Sequence, residues 1–530
     1  MIMNIKKNKP SEHMVVPEIL YRNARKYPQK TALIYGKQSW TFSELDQLSN
    51  KVANSLLELG VKKGDHISMM MTSSEKFIAT YFGILKAGAV VTPVNSKFMK
   101  PEVAYIVNNN DSKYFIFSDT FAPMLNGIAN QLPQVKRLIG VGENTPDYAV
   151  SYNEMIRDAS SERPPVDLNE DDLCCILYTS GTTGNPSGAV FTHRAVNYDA
   201  YSAGALNHRF NHSTRNLIMM PLFHSAPLHN HMLGTLWPGG TIVLLDTFDC
   251  KAFLETIERE KTTHFFGPAM VYLNCVKQFD VKQYDLSSMQ VFVMGGSPCS
   301  PEDQEMIIRE MKLDGRFMQV YGLTESGPFG SALFPEDIHR KAGSIGLNGS
   351  IGAELIIVDK QYNKIEEPGV VGELAVFSES HMLEYYKNPE KTAKTIINGW
   401  IMTGDLAKYD EDGYIYFMDR TKDMIISGGQ NIYSKEVEDV IMRCPGVLEV
   451  AVIGIPQKEW GESVKAVISA VPGCTVTPAI IKQFVSDKLA KFKRPRYVEI
   501  VDALPHNPAG KILKQQIRDQ YSKPIDSPAV

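Results

Sequence analysis

An apolar run, CCILY at 174–178, feeds directly into TSGTTGNPSG at 179–188. The run reads as a buried strand. It delivers Thr179, Ser180, Gly181, Thr182, Thr183 and Gly184, with Gly188 after Asn185, Pro186 and Ser187. Glycines allow tight backbone paths and close approach to a ligand. Hydroxyls and exposed N–H groups hold phosphate oxygens. Together they suit a nucleotide triphosphate. The pattern GxxxxGK[ST] is not met, because no lysine closes the loop, so the chain is not read as a P-loop NTPase. The plain alternative is a Ser/Thr/Gly surface turn.

Strand-like and helix-like segments alternate along the chain, which predicts an α/β fold. A helix opens at Thr41, where Thr41 and Glu44 have capping-box spacing. Leu45, Leu48, Val52, Leu56 and Leu59 form its apolar stripe, and Gly60 ends it. Segments 66–71 and 89–94 read as strands around a helix at 77–86, a βαβ unit. Further strands are expected at 114–118 and 135–141, and a loop at 161–169.

The chain has 530 residues, enough for roughly three to four domain-sized units. The boundary is placed near Arg420: one domain spans 1–420, the other 421–530. Residues 1–420 carry 40 basic and 48 acidic side chains, and 421–530 carry 15 and 12. The net charge of -5 offers nucleic acid no general basic surface. The basic run KFKRPRY at 491–497 is too short to change that, and reads as a phosphate contact or a solvated loop. Seven cysteines without a CxxC argue against a disulfide framework or zinc finger and for a reducing, cytoplasmic setting. No apolar run reaches 18 residues, so no membrane span is expected. Peripheral membrane contact and a homodimer stay open.

The string YTSGTTGxPxG resembles the signature loop of the adenylate-forming superfamily: acyl-CoA synthetases, beetle luciferases and nonribosomal peptide synthetase adenylation domains. Further motifs follow in the family order. They are PLFH at 221–224, GGSP at 295–298, YGLTES at 321–326, TGD at 403–405, DRTKDMIISGGQNIYSKEVE at 419–438 and NPAGKIL at 507–513. The resemblance covers nearly the whole chain. It implies a large N-terminal domain of α/β subdomains with a small β-barrel-like subdomain, and a small mobile C-terminal α+β domain.

The same resemblance implies residue roles. Thr179 to Gly184 cradle the phosphates of ATP. Gly296, Ser297, Pro298 and Tyr321 lie around adenine. Thr324 contacts the α-phosphate and Glu325 holds Mg2+, a hard oxygen-seeking ion. Asp405, expected at a turn, and Arg420 take the ribose. Lys422 is the hinge, Gly428 and Gly429 face CoA, and Lys511 is the catalytic lysine. His224, Phe266, Gly267, Met270, Gly295 and Gly322 line the acid pocket. Three histidines at 224, 229 and 231 also match a metal spacing, but they lack carboxylate or cysteine partners and are not read as zinc ligands. Three positions depart from the pattern. Ser187 replaces a lysine thought to touch the ATP phosphates, Ser434 replaces a proline, and His506 an arginine. The Ser434 change is expected to be a small one.

The reaction implied is acid activation to an acyl-adenylate and then transfer to CoA. The C-terminal half looks most like bacterial fatty-acyl-CoA synthetases, so medium- or long-chain acids come first and aryl acids second. Loading of a carrier protein and a non-catalytic nucleotide-binding role are the alternatives.

Overall fold

The computed structural model describes residues 13–179, 185–297, 299–506 and 512–522. Two compact units form: Met1–Leu355 with Val376–Ile401, and Ile356–Ala375 with Met402–Val530. The fold is α/β, with a large N-terminal part of sheets and helices and a smaller C-terminal part.

The first unit holds two eight-stranded sheets. In one, Phe317–Tyr321, Val291–Met294, His264–Gly267, Arg215–Ile218, Thr241–Leu244 and Thr31–Tyr35 lie side by side and parallel. Ser331–Leu333 and Gln38–Thr41 close its edges antiparallel. Most residues of these strands are buried, as in a parallel sheet. In the other sheet the order is Glu384–Tyr385, Ser187–Thr192, Leu173–Thr179, Val90–Pro93, His66–Met70, Tyr114–Ser118, Arg137–Val141 and Val150–Ser151.

Local signals account for many elements. Thr41 Oγ1 accepts from the Glu44 N–H at 3.2 Å, and Glu44 Oε2 accepts from the Thr41 N–H at 2.8 Å. This reciprocal cap starts helix Phe42–Glu58. Leu45, Val52 and Leu56 on its inner face are fully buried. The neighbouring helix Glu75–Lys86 brings Lys86 into the same core. Its Nζ donates to Asp46 Oδ1 at 2.6 Å, Ser49 Oγ at 2.8 Å and Asn50 Oδ1 at 2.8 Å, which satisfies an ammonium that burial would otherwise leave costly.

Two helical segments, Ala200–Asn207 and Ala226–Leu233, are wound wider than an α-helix. Their backbones meet where a Cβ on Gly204 would lie 2.8 Å from the Asn230 carbonyl oxygen and 2.5 Å from Cα of Gly234, just past the second segment. No larger residue fits that crossing.

In the second unit, Gly461–Ala470 pairs antiparallel with Val447–Gln457 and parallel with Tyr497–Val501. Helices Ser434–Met442 and Pro478–Phe484 cover a core that includes Ile432, Val437, Ile468 and Ile481. The strands Trp400–Tyr409 and Ile415–Arg420 form an antiparallel pair across the Asp-Gly turn at 412–413. Among the described residues no helix is long and apolar enough to cross a membrane.

Candidate active site

Four adjacent parallel strands end at the same edge of the first sheet. Phe266 and Gly267 close His264–Gly267. Gly295, Gly296 and Ser297 follow Val291–Met294. Tyr321 ends Phe317–Tyr321, and Gly322 follows. The segment leading to His224 follows Arg215–Ile218. Crevices beyond the carboxyl ends of parallel strands are where α/β sheets bind ligands. Close packing brings these turns together. A Cβ on Gly295 would sit 2.6 Å from the Val320 side chain, and one on Gly322 would sit 2.3 Å from the Pro328 carbonyl oxygen. Ser297 Oγ accepts from the Ala269 N–H at 3.3 Å.

The hydroxyl-rich loop leaves strand Leu173–Thr179 and returns as strand Ser187–Thr192, with Thr179 opposite Ser187. It therefore joins two antiparallel strands rather than a strand and a helix. Ser180, Gly181, Thr182, Thr183 and Gly184 lie outside the described residues, as do Pro298 and Lys511.

Glu325 stands where the two sheets of this unit meet. It sits in a single turn, Thr324–Ser326, just past the strand end. Its Oε1 accepts from the Tyr385 hydroxyl at 2.6 Å and from Thr179 Oγ1 at 3.4 Å, and its backbone carbonyl accepts from the Met382 N–H at 2.8 Å. Thr324 Oγ1 shares a 2.9 Å hydrogen bond with Ser225 Oγ. The Tyr385 ring also carries the Lys391 ammonium on its face, 4.0 Å from the ring centroid. Lys391 Nζ donates to Ser187 Oγ at 3.0 Å. Burial lowers the Lys391 pKa, and the charge of Glu325 opposes that. Sequence reading missed Tyr385 and Lys391, because nothing in LEYYKNPEKT marks either as facing a loop some 200 residues earlier.

Among the residues expected to line the acid pocket, His224 is half-buried, and its buried Nε2 has no hydrogen-bond partner among the described residues. Burial, with Lys97 adding to it, pushes its pKa down to about 4, so the ring is neutral near pH 7. His229 and His231 lie in the wide helical segment behind it. His231 stacks on Phe266 at 4.7 Å and on His208 at 4.8 Å. Phe266, His231, Met219 and Pro227 line a small, largely apolar recess. Met270 is set apart from it in sequence, on helix Ala269–Gln278, and is 47% exposed.

In the second unit, Asp405 differs from expectation. It lies inside the ten-residue strand Trp400–Tyr409 rather than at a turn, directly opposite Arg420. Cross-strand register makes them neighbours, and Arg420 Nε lies 3.1 Å from Asp405 Oδ1. The Asp405 N–H donates to Thr403 Oγ1 at 3.0 Å. Lys422 is exposed in the turn after this strand pair, where its carbonyl accepts from Arg518 at 3.3 Å. Gly428 and Gly429, both with positive φ, join strands Ile425–Ser427 and Gln430–Ile432. Positive φ at both central residues is the two-residue hairpin that glycine favours.

Ser434 joins a buried hydrogen-bond network. It is fully buried, its N–H and hydroxyl both donate to Asp419 Oδ2, and its Oγ accepts from Lys514 Nζ at 2.6 Å. Lys514 also pairs with Glu438 at 2.7 Å. Burial pushes the Lys514 pKa down, but Glu438, Asp419 and Asp423 outweigh it and leave the lysine raised. His506 pairs with Glu449 at 2.8 Å. Within the basic run, Lys493 is paired with Glu436 at 2.7 Å.

The AMP-binding enzyme family matches residues 20–386, and the AMP-binding enzyme C-terminal domain matches 436–511. A long-chain-fatty-acid–CoA ligase of Mycobacterium tuberculosis is 36% identical over 489 residues, covering 92% of this chain and 94% of its own. A feruloyl-CoA synthase of Amycolatopsis is 33% identical over 500 residues, covering 94% and 98%. Among solved structures, an anthranilate CoA ligase in complex with anthranoyl-AMP superimposes with a TM-score of 0.88 at 28% identity, covering 96% and 97%.

Proposed function

Because the chain belongs to the AMP-binding enzyme family, whose members here are ATP-dependent, AMP-forming acyl-CoA ligases, we propose that it activates a medium- or long-chain fatty acid and transfers the acyl group to CoA. One observation carries the reading: Glu325 lies at the carboxyl edge of a parallel sheet and within hydrogen-bond reach of Thr179, at the foot of the phosphate loop. The fatty-acid preference draws on the mycobacterial relative and on the apolar residues Phe266, Met219 and Pro227.

In the first half-reaction the acid's carboxylate oxygen attacks the α-phosphorus of ATP, and pyrophosphate leaves. Lys511 and Thr324 hold the oxygens that gather charge in that transition state. Tyr321, Gly296, Ser297 and Pro298 hold adenine, and Asp405 with Arg420 holds the ribose. Glu325 is the residue that would hold Mg2+. Its carboxylate and the adjoining hydroxyls are hard oxygen donors, and one carboxylate is enough for an ion that keeps waters and substrate phosphates as its other ligands. When bound, Mg2+ supplies neutralisation of phosphate charge. In the second half-reaction the CoA thiol attacks the acyl carbonyl and AMP leaves, with Gly428 and Gly429 on the CoA side. Lys422 serves as the hinge at which 421–530 turns between the two steps. Seven cysteines without a CxxC suit a reducing, cytoplasmic setting.

An aryl acid is the second reading. The feruloyl-CoA synthase and the anthranilate ligase favour it. Product analysis by mass spectrometry decides. Purified protein receives MgATP, CoA and a mixed panel of fatty and aryl acids. Fatty acyl-CoA formed with matching AMP is the expected result. Aryl-CoA alone selects the second reading, acyl-adenylate alone points to a carrier-protein acceptor, and neither product overturns the ligase assignment.

A further inference from the structure

We propose that Lys391 supplies the phosphate-binding cation that the loop lacks at Ser187, so that the β- and γ-phosphates of ATP meet a lysine arriving from a separate helix. The inference rests on the AMP-forming ligase reading and names a residue for it.

Three observations place the cation. Lys391 Nζ lies 3.0 Å from Ser187 Oγ, so its charge stands beside the position from which a loop lysine would project. Its backbone is pinned. The Lys391 N–H donates to Asn388 Oδ1 at 3.0 Å, which caps helix Pro389–Thr395, and Thr392 Oγ1 accepts from the Tyr385 N–H at 2.9 Å. The strand Glu384–Tyr385 pairs with Val190 and Ala189 of the strand that begins at Ser187. Helix and loop strand are thus tied through the sheet.

The charge is poised for an anion. An ammonium has three donors, and among the described residues the Lys391 side chain has one hydrogen-bond acceptor, Ser187 Oγ, and no carboxylate within ion-pair distance. Its remaining support is the Tyr385 ring. Partial burial without an ion pair disfavours a cation, and a bound polyphosphate reverses that. Tyr385 separates the ammonium from Glu325, to which its hydroxyl donates. One tyrosine therefore spaces a cation for phosphate oxygens from a carboxylate for the metal.

The test is equilibrium binding of MgATP and of AMP to the full-length protein by calorimetry. AMP has no β- or γ-phosphate. Lys391→Met should weaken ATP binding about tenfold to a hundredfold, the size expected for one charge-assisted contact, and leave AMP binding within about twofold. Adding Ser187→Lys to that variant should restore most of the loss. ATP affinity within about twofold of wild type overturns the proposal. So does an equal loss for ATP and AMP, which marks a purely structural lysine. Should Lys391→Met not fold, amine acetylation of the wild-type protein read by mass spectrometry replaces it. ATP, and not AMP, should protect Lys391, and equal modification overturns the proposal. A wild-type protein that binds MgATP yet forms no acyl-CoA overturns the ligase reading, while the contrast between ATP and AMP still decides Lys391.

Discussion

The hydroxyl of Tyr385 donates to Oε1 of Glu325 at 2.6 Å. Burial, with the Glu325 charge beside it, raises the phenol's pKa, so Tyr385 remains a donor across the working pH range. It is the shorter of two hydrogen bonds that orient this carboxylate, the other coming from Thr179 Oγ1 at 3.4 Å.

Tyr385→Phe removes that bond and keeps the ring beneath Lys391. A hydrogen bond to a charged partner contributes about 1.5–3 kcal/mol. Adenylation kcat/KM should therefore fall about tenfold to a hundredfold, with a shifted Mg2+ dependence and little change in Tm. Acid-dependent exchange of pyrophosphate into ATP measures it. An unchanged rate would mean that Glu325 is oriented by other contacts.

Lys511→Ala separates the half-reactions. Acyl-adenylate formation should drop by about two to three orders of magnitude, the scale for losing one transition-state donor. Thioester formation from supplied acyl-adenylate and CoA should stay within a few-fold of wild type. Equal losses in both steps would contradict the role given to Lys511.

Acid should destabilise the first unit steeply. Burial pushes His208 and His229 down to about 3 and His224 and His264 to about 4, and it lowers His231 as well. These rings stay neutral in the folded protein where the unfolded chain protonates them, near pH 6.5. Below that pH the unfolded state binds more protons, so stability falls as pH drops from 6.5 towards 4. Each histidine held neutral costs about 1.4 kcal/mol per pH unit through that window. Calorimetric melts from pH 7.5 to 5 should show a sharp fall in Tm. A flat profile would mean that these rings reach solvent.

Ser434→Pro restores the residue type usual at this position, yet it should destabilise the protein. Proline suits the first turn of a helix when the lost N–H has no partner. Here that N–H and the hydroxyl both serve Asp419, and Lys514 donates to the same hydroxyl. Leaving part of a buried charged network unsatisfied costs about 1–3 kcal/mol. Thermal denaturation checks this, and a variant as stable as wild type would show that Glu438 and Asp423 compensate fully.

Much of the first unit was legible because its signals are local. Thr41 and Glu44 form their cap within one turn. The apolar runs near 66–71, 89–94 and 114–118 became His66–Met70, Val90–Pro93 and Tyr114–Ser118. The glycine pairs and hydroxyl clusters stood where strands end. Asp405 was harder. TGD has the composition of a turn, and pairing with Gly372–Phe377 on one side and Ile415–Arg420 on the other holds it in a strand. The contacts of Ser434 were illegible for a related reason, since Asp419 and Lys514 lie 15 and 80 residues away.

The chain by itself determined the α/β class, the motifs of an adenylate-forming enzyme in their order, and the missing cation at Ser187. These depend on residue type, spacing and short-range hydrogen bonding, which a linear pattern carries. The tertiary structure decided which side chains answer one another. Lys391 meets Ser187 across 204 positions, and Tyr385 meets Glu325 across 60. Strand order and register set those distances. They come from the packing of whole sheets, where many apolar contacts are satisfied together, and no local stretch of sequence specifies that outcome.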